Sequence, residues 1–462
     1  MKHCGPFSLW PLFKNMTKVG ITGQAGFVGT HLFNTLGLYP DKFERISFED
    51  AFFSDENKLK SFVQNCDAIV HLAAMNRHND PEVLYQTNLN LVKQLIDAME
   101  STGSTPHVLF SSSTQEERDN LYGRSKKEGR ELLEQWATRN DATFTGFVIP
   151  NVFGPFGNPY YNSVIATFSH QLTHNETPRI EVDGEIKLIY VAELVEHFIN
   201  KIKDHRVTQC LNTELHSDVN CETPFNTVKH CEPTSPCETP FNTVKHCEPT
   251  SPCETPFNTA KHCVPPSPCE TPFNTAKHCV PFFVPHTSEI KVSALLQKLT
   301  TFKENYFDKG ILPHLDTPFD RNLFNTFLCY MDHSTFFPFK LKLNTDDRGS
   351  FVEIIKLNTG GQVSFSTTVP GITRGNHFHT RKAERFAVIK GKAQIEFRRI
   401  GTDTIYTFDL DGAHPSFVDM PIWHTHNITN TGTEELYTIF WINEHFDASD
   451  MDTYFEKVSS TE

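Results

Sequence analysis

Val19-Gly20-Ile21-Thr22-Gly23-Gln24-Ala25-Gly26-Phe27-Val28-Gly29 is the stretch on which the reading of the fold turns. An apolar strand runs into a glycine turn and then into a helix start. Glycines at this spacing permit a tight turn, let the backbone approach a pyrophosphate and seat that group on the helix N-terminus. Working outward, Val19–Thr22, Ala68–Ala73, His107–Ser111 and Thr145–Ile149 are apolar runs that predict strands. Leu89–Glu100 and Arg124–Thr138 carry apolar residues at helical spacing. Alternating β and α segments predict a doubly wound parallel sheet, with ligands at the carboxyl ends of its strands.

Three chemical features fall at those ends. His71-Leu72-Ala73-Ala74 closes one strand and Ser111-Ser112-Ser113-Thr114 the next, and Tyr122-Gly-Arg-Ser-Lys126 opens a helix. Tyr122 and Lys126 share one helix face. A neighbouring lysine is expected to lower the phenol pKa from about 10, which makes the tyrosine a usable acid or base. Together these residues resemble the extended short-chain dehydrogenase/reductases. The resemblance implies Tyr122 as proton donor, Lys126 on the nicotinamide ribose and Ser113 as the catalytic hydroxyl. It places the cofactor on Thr22, Gly23, Gly26, Phe27, Val28, Gly29, Leu72, Ala73 and Ala74 as well as Lys126. Asn88 matches a common family asparagine, Asn151 the substrate-side loop, and Tyr161 and Asn162 are candidate sugar contacts. Only eight residues separate Ser113 from Tyr122, so that loop is abbreviated. Glu49 and Asp50 stand near the position that contacts a ribose 2′-hydroxyl in NAD enzymes, while Arg45 is placed to meet a 2′-phosphate.

A second signature lies far downstream. It reads Gly371-x5-His377-x-His379-x4-Glu384-x6-Gly391, then Pro421-x-Trp423-x2-His426-x3-Asn430. An HxH pair on a strand sends both imidazoles to one face. Glu384 and His426 complete a set of N and O ligands suited to zinc, iron, manganese or nickel. The pattern resembles the two metal motifs of the cupin barrels, with Trp423 in place of a motif glycine. The loop before His426 is therefore expected to be reshaped. His424, Glu396 and Tyr437 are candidate acids or bases.

The 462 residues allow two or three domains, and the net charge of -14 with no basic stripe argues against nucleic acid. No apolar run reaches the ~18–20 residues of a membrane helix. Residues 221–280 hold four copies of a 16-residue unit, the first beginning Cys221-Glu-Thr-Pro-Phe-Asn-Thr. Eight of the twelve cysteines lie there, which leaves the body cysteine-poor, as expected in a reducing cytoplasm. Rich in proline and poor in aliphatics, the repeat is expected to be disordered. The expected organisation is a disordered tail (1–15), a reductase domain (16–208 and 282–335) interrupted by the repeat insertion (209–281), and a cupin domain (336–462).

Over nearly the whole chain from Met16, outside the repeat, the sequence resembles bacterial capsular-polysaccharide enzymes of the CapF type. Supporting segments include Asp347-Arg-Gly-Ser-Phe351 and Asp452-Thr-Tyr-Phe455. The resemblance implies a UDP-linked 4-keto-6-deoxy-N-acetyl sugar as substrate. The cupin would epimerise C3 with zinc and the reductase domain would reduce the C4 ketone, with NADP(H) favoured and NAD(H) open. A homodimer is expected by analogy with cupins. Two other readings remain: a cupin that only binds sugar and dimerises, and a metal oxygenase cupin.

Overall fold

The computed structural model describes residues 16–217, 281–347 and 349–459. The N-terminal 15 residues and the repeat at 221–280 lie outside the described residues. The described sheets of the α/β half and of the barrel belong to one compact unit.

The first half is built from strands β1 (Thr17–Thr22), β2 (Phe43–Ile46), β3 (Ala68–His71), β4 (His107–Ser113) and β5 (Phe144–Ile149). With a later strand (Phe282–Phe283) they form a six-stranded sheet in the order β2, β1, β3, β4, β5, then that strand, with every pairing parallel. Helices α1 (Phe27–Gly37), α2 (Glu56–Gln64), α3 (Pro81–Thr102) and α4 (Leu121–Arg139) make the crossovers. Each of the last three is N-capped by a side chain: Asp55, Asp80 and Asn120 accept from Lys58, Glu82 and Gly123 backbone N–H groups. Helix α1 has only Gly26 at its cap and no side-chain partner there. Its first N–H groups are thus left for a ligand. Leu32, Leu36, Val70, Leu109 and Phe147 are buried on one face of the sheet, and Val63, Leu95, Met99 and Trp136 on the other. A further helix spans Val191–Ser217.

A short sheet, Asn151–Phe153 with Glu185–Tyr190 and Ser288–Lys291, carries the chain away from the first sheet. Helices over Val292–Phe302 and Pro318–Leu328 follow, the latter opened by a Thr317/Asp320 capping box. A turn of π-helix (Lys303–Phe307) presents Tyr306 to the next domain.

The last third is antiparallel. One five-stranded sheet contains β6 (Gln362–Thr368), β8 (Glu384–Lys390), β11 (Ser416–Met420) and β13 (Leu436–Ile442). The other contains β7 (Thr373–Phe378), β9 (Lys392–Arg399), β10 (Ile405–Asp411), β12 (His424–Asn430) and a terminal strand, β14 (Tyr454–Phe455). Ala387, Phe417 and Trp441 from the first sheet share a core with Ile395, Phe397 and Ile428 from the second. This is the all-β barrel expected after the α/β sheet. A buried ion pair joins it to the preceding helices. Arg385 Nε and Nη2 donate to Asp419 at 2.8 and 2.9 Å, and Tyr306 donates to the same carboxylate at 2.5 Å.

Candidate active site and metal centre

In the α/β sheet the glycine turn sits at the carboxyl end of β1. Gly23 has φ +70, and a Cβ there would stand 2.8 Å from the Ala73 backbone nitrogen. A Cβ on Gly29 would stand 2.3 Å from the Gly23 carbonyl oxygen. No larger residue fits either place without moving backbone. Leu72 N donates to the Thr22 carbonyl at 3.1 Å and Ala73 N to Thr22 Oγ1 at 3.4 Å. The ends of β1 and β3 therefore form one rim, with Gly26, Phe27 and Val28 half-buried or exposed above it.

Beside this rim, Tyr122 and Lys126 lie on the first turns of α4 over the end of β4. Lys126 is buried, and its Nζ donates to the Ser111 carbonyl at 3.0 Å and lies 5.9 Å from the Tyr122 ring centre. Burial pushes the Lys126 ammonium down to about 8. Burial, with Tyr161 adding to it, pushes the Tyr122 phenol up to about 12. The direction is opposite to the expected fall, because burial disfavours the phenolate. Ser113 shares the Ser111 face and accepts from Gln115 N at 3.2 Å. Ser112 points to the other face and donates to Glu116, which Arg130 also holds.

The other sequence candidates divide. Tyr161 Oη accepts from Asn76 N at 3.2 Å, and Asn162 is exposed on the same loop. Asn151 is exposed and donates to the Lys187 carbonyl at 3.4 Å. Asn88 is buried: its amide donates to the Met75 carbonyl at 3.0 Å and Ser125 Oγ at 3.1 Å, and accepts from Met75 N at 2.7 Å. It clamps the loop after β3 and has no N–H left to offer a substrate. Arg45 is exposed on β2; its guanidinium lies 4.3 Å from the Phe33 ring centre and donates to the Phe33 carbonyl at 3.2 Å. Glu49 and Asp50 are exposed just past β2.

In the barrel, His377, His379, Glu384 and His426 come together with their donor atoms all within 4.8 Å of one another. His377 is near the end of β7, Glu384 starts β8 on the facing sheet, and His426 pairs with His377 from β12. His426 Nε2 lies 2.9 Å and His379 Nε2 3.3 Å from Glu384 Oε2. The opposite ring nitrogens are all engaged. His379 Nδ1 bonds to the Asp452 carbonyl, His426 Nδ1 to the His424 carbonyl at 3.1 Å, and His377 to the Gly375 carbonyl. A carbonyl only accepts, so His379 and His426 each carry a proton on Nδ1, and the Nε2 of each faces Glu384. His379 Nε2, Glu384 Oε2 and His426 Nε2 are buried with no hydrogen-bond partner. Burial pushes His377 down to about 4, with His426 and His379 adding to the fall. Burial would raise the Glu384 carboxyl, yet His379 and His426 hold it well below the usual carboxylate range. Three imidazoles and a carboxylate converging in one largely buried cluster are the donor set of a divalent transition metal.

The cluster opens on a cavity of about 200 Å³ lined also by Ser366, Arg374, Phe386, Met420 and Phe440. Arg374 was not singled out by the sequence. Strict alternation sends it away from His377, but a bulge between Gly375 and His377, with Asn376 at φ 58, inserts one residue and returns it to the metal face. Trp423 stands in the left-handed region at φ 59, a conformation that favours glycine. Its indole is buried against Phe378 (5.6 Å between ring centres) and meets His31 of α1 at 6.1 Å. His424 packs on His333, Phe397 and Phe156, and burial pushes it down to about 3. Neither His424, Glu396 nor Tyr437 is among the residues lining the cavity.

Likeness to known proteins divides along the same two regions. The NAD dependent epimerase/dehydratase family matches residues 19–207, and the polysaccharide biosynthesis C-terminal domain matches residues 344–454. The UDP-2-acetamido-2,6-beta-L-arabino-hexul-4-ose reductase of Pseudomonas aeruginosa is 30% identical over 442 residues, covering 95% of this chain and 98% of that protein. The chain belongs to this CapF-type family. The crystal structure of the capsular polysaccharide assembling protein CapF from Staphylococcus aureus is 31% identical, with a TM-score of 0.52. The match covers 96% of this chain and 100% of that one. As a member of the CapF-type family, the chain is an oxidoreductase of the epimerase/dehydratase type, acting in polysaccharide biosynthesis and binding a nicotinamide dinucleotide. Among the described residues, no helix is long and apolar enough to cross a membrane.

Proposed function

We propose that this chain converts a UDP-linked 4-keto-6-deoxy-N-acetyl sugar in two steps, epimerisation at C3 in the barrel and then reduction of the C4 ketone at the α/β sheet. The supporting observation is the pairing in one chain of a buried three-histidine, one-glutamate cluster with a glycine turn beside Tyr122 and Lys126. The full-length likeness to a reductase named for such a sugar agrees with it. Residues 16–208 and 282–335 make the reductase domain and 336–462 the cupin.

In the reductase domain, NADPH or NADH supplies the hydride when bound. Gly23, Gly26 and Gly29 let the dinucleotide lie on the backbone, and the open N-terminus of α1 meets its pyrophosphate. Lys126 holds the ribose, and Tyr122 places its proton on the C4 oxygen as the alkoxide forms. A phenol whose pKa is pushed up to about 12 keeps its proton until an alkoxide needs it. Ser113 orients the ketone. NADPH is favoured over NADH by the family resemblance.

In the cupin, His377, His379, Glu384 and His426 would hold a divalent ion, zinc on the family resemblance, which would supply Lewis-acid stabilisation of negative charge when C3 is deprotonated. Arg374, the one arginine or lysine among the described residues lining the cavity, is the group to meet the diphosphate. Phe386, Met420 and Phe440 keep water from the reacting carbon. The chain acts in the cytoplasm, where free Cys66 and Cys329 suit a reducing compartment. It works as a homodimer through the barrel edge, where β6 leaves Phe365 70% and Val363 53% exposed.

The test is incubation with the 4-keto-6-deoxy sugar nucleotide and NADPH in deuterated water. Deuterium at C3 together with NADPH oxidation is expected. His377→Ala should abolish the label, and Tyr122→Phe should spare the label but stop reduction. NADPH oxidation by a chelator-treated enzyme, at full rate and without label at C3, would refute the two-step reading.

A further inference from the structure

The last described residues do more than finish the barrel. Strand β14 lies against β7, with Phe455 opposite His377 and Tyr454 opposite Phe378. Glu456 N donates to the Asn376 carbonyl at 3.0 Å, and Thr425 Oγ1 on β12 donates to the Glu456 carbonyl. The segment 450–458 therefore crosses both strands that bring histidines to the cluster. At its centre is Asp452, 6% exposed and in the left-handed region at φ 43.

Every acceptor on Asp452 is turned to the metal cluster's own chain. Its backbone carbonyl receives the Nδ1–H of His379. Its carboxylate receives Thr380 N at 3.1 Å, Thr380 Oγ1 at 2.6 Å, Arg381 N at 3.0 Å and Lys382 N at 3.2 Å. Those residues form the turn that leads from His379 to Glu384. Lys382 Nζ, 3% exposed at its side chain, donates to the adjoining Met451 carbonyl at 2.5 Å. Arg381 reaches Asp450 at 2.7 Å and Glu444 at 3.0 Å. One carboxylate thus holds three successive backbone N–H groups while its own backbone sets the tautomer and ring plane of His379. A non-glycine residue persists in the left-handed region only where its surroundings hold it, and these bonds hold Asp452 there.

We propose that Asp452 is a positioning residue of the metal centre, and that the terminal segment 450–458 is part of that centre rather than a trailing end. This rests on the metal-binding reading of the cluster. Asp452 fixes two of the four ligands, His379 through its carbonyl and Glu384 through the turn. Loss of such an outer partner lowers metal affinity by about ten- to a hundredfold.

The experiment is competition between the full-length protein and a chromophoric chelator for zinc, repeated with cobalt(II) read by its visible absorption. Wild type, Asp452→Ala, the milder Asp452→Asn, His379→Ala and the Asp452→Ala/His379→Ala double variant are compared. Asp452→Ala is expected to weaken zinc binding about tenfold or more, Asp452→Asn less, and both to alter the cobalt spectrum. The double variant should lose less than the two single losses multiplied, because Asp452 acts in part through His379. Zinc affinity within twofold of wild type in both single Asp452 variants overturns this inference and leaves the metal reading standing. So does a double variant whose losses multiply. A wild-type protein that takes up neither ion overturns the metal reading and this inference with it.

Discussion

Trp423 supplies a test of how far backbone geometry governs the metal loop. It occupies the left-handed region at φ 59 with its indole only 6% exposed, packed on Phe378 and His31. Its amide donates to the His379 carbonyl at 2.7 Å and its carbonyl accepts from Ile400 N at 2.9 Å, so the conformation is held on both sides. Truncation to alanine removes the ring and keeps the strained backbone, at a cost of about 3–5 kcal/mol. Truncation to glycine loses the same ring. It also releases the left-handed penalty of about 1–2 kcal/mol, offset by about 0.5–1 kcal/mol of extra chain entropy in the unfolded state. Trp423→Gly should therefore be more stable than Trp423→Ala by roughly 0.5–1 kcal/mol, the reverse of the usual order. Urea unfolding of both variants, with the wild type as reference and equal slopes confirming comparable transitions, measures the difference. An alanine variant as stable as the glycine variant, or more so, would show that the loop does not hold its left-handed turn in solution.

Gly29→Ala sets a methyl carbon 2.3 Å from the Gly23 carbonyl oxygen, so the turn must open. Dinucleotide binding by calorimetry should be lost, and retained affinity would contradict the close approach of turn and helix. Tyr122→Phe should lower kcat for ketone reduction by about a hundredfold or more with dinucleotide affinity kept. A loss confined to KM would assign Tyr122 to binding instead. Burial pushes His31 down to about 4 and His71 to about 3, with Arg399 adding to the first and Lys126 to the second. Both folded values lie below the ordinary 6.5, so the unfolded chain takes up these protons first as pH falls. Stability is present above pH 6.5 and is lost from there toward pH 4, by up to about 1.4 kcal/mol per pH unit for each histidine. Urea midpoints that stay level from pH 7 to pH 5 would refute this.

The local chemistry of this protein is written in its sequence. Glycine spacing at residues 23, 26 and 29 follows from hard-sphere contacts within one turn, and the HxH pair at 377 and 379 follows from strand alternation. Both depend on near neighbours, which is why the parallel sheet, the barrel and the four-residue cluster are legible in order along the chain. Tertiary structure decided what depends on distant groups or on one extra residue. Desolvation, which no window of sequence contains, turned the Tyr122 shift upward. The bulge at Asn376 brought Arg374 into the cavity against the alternation rule. Hydrogen bonds to Met75 and Ser125 turn the Asn88 amide into the fold, and Arg45 lies over the Phe33 ring. Asp452, 73 residues beyond His379, meets it only because β14 folds back along β7. Side-chain spacing fixes which groups face the same way, whereas burial and long-range pairing fix which groups are held, charged and left free to react.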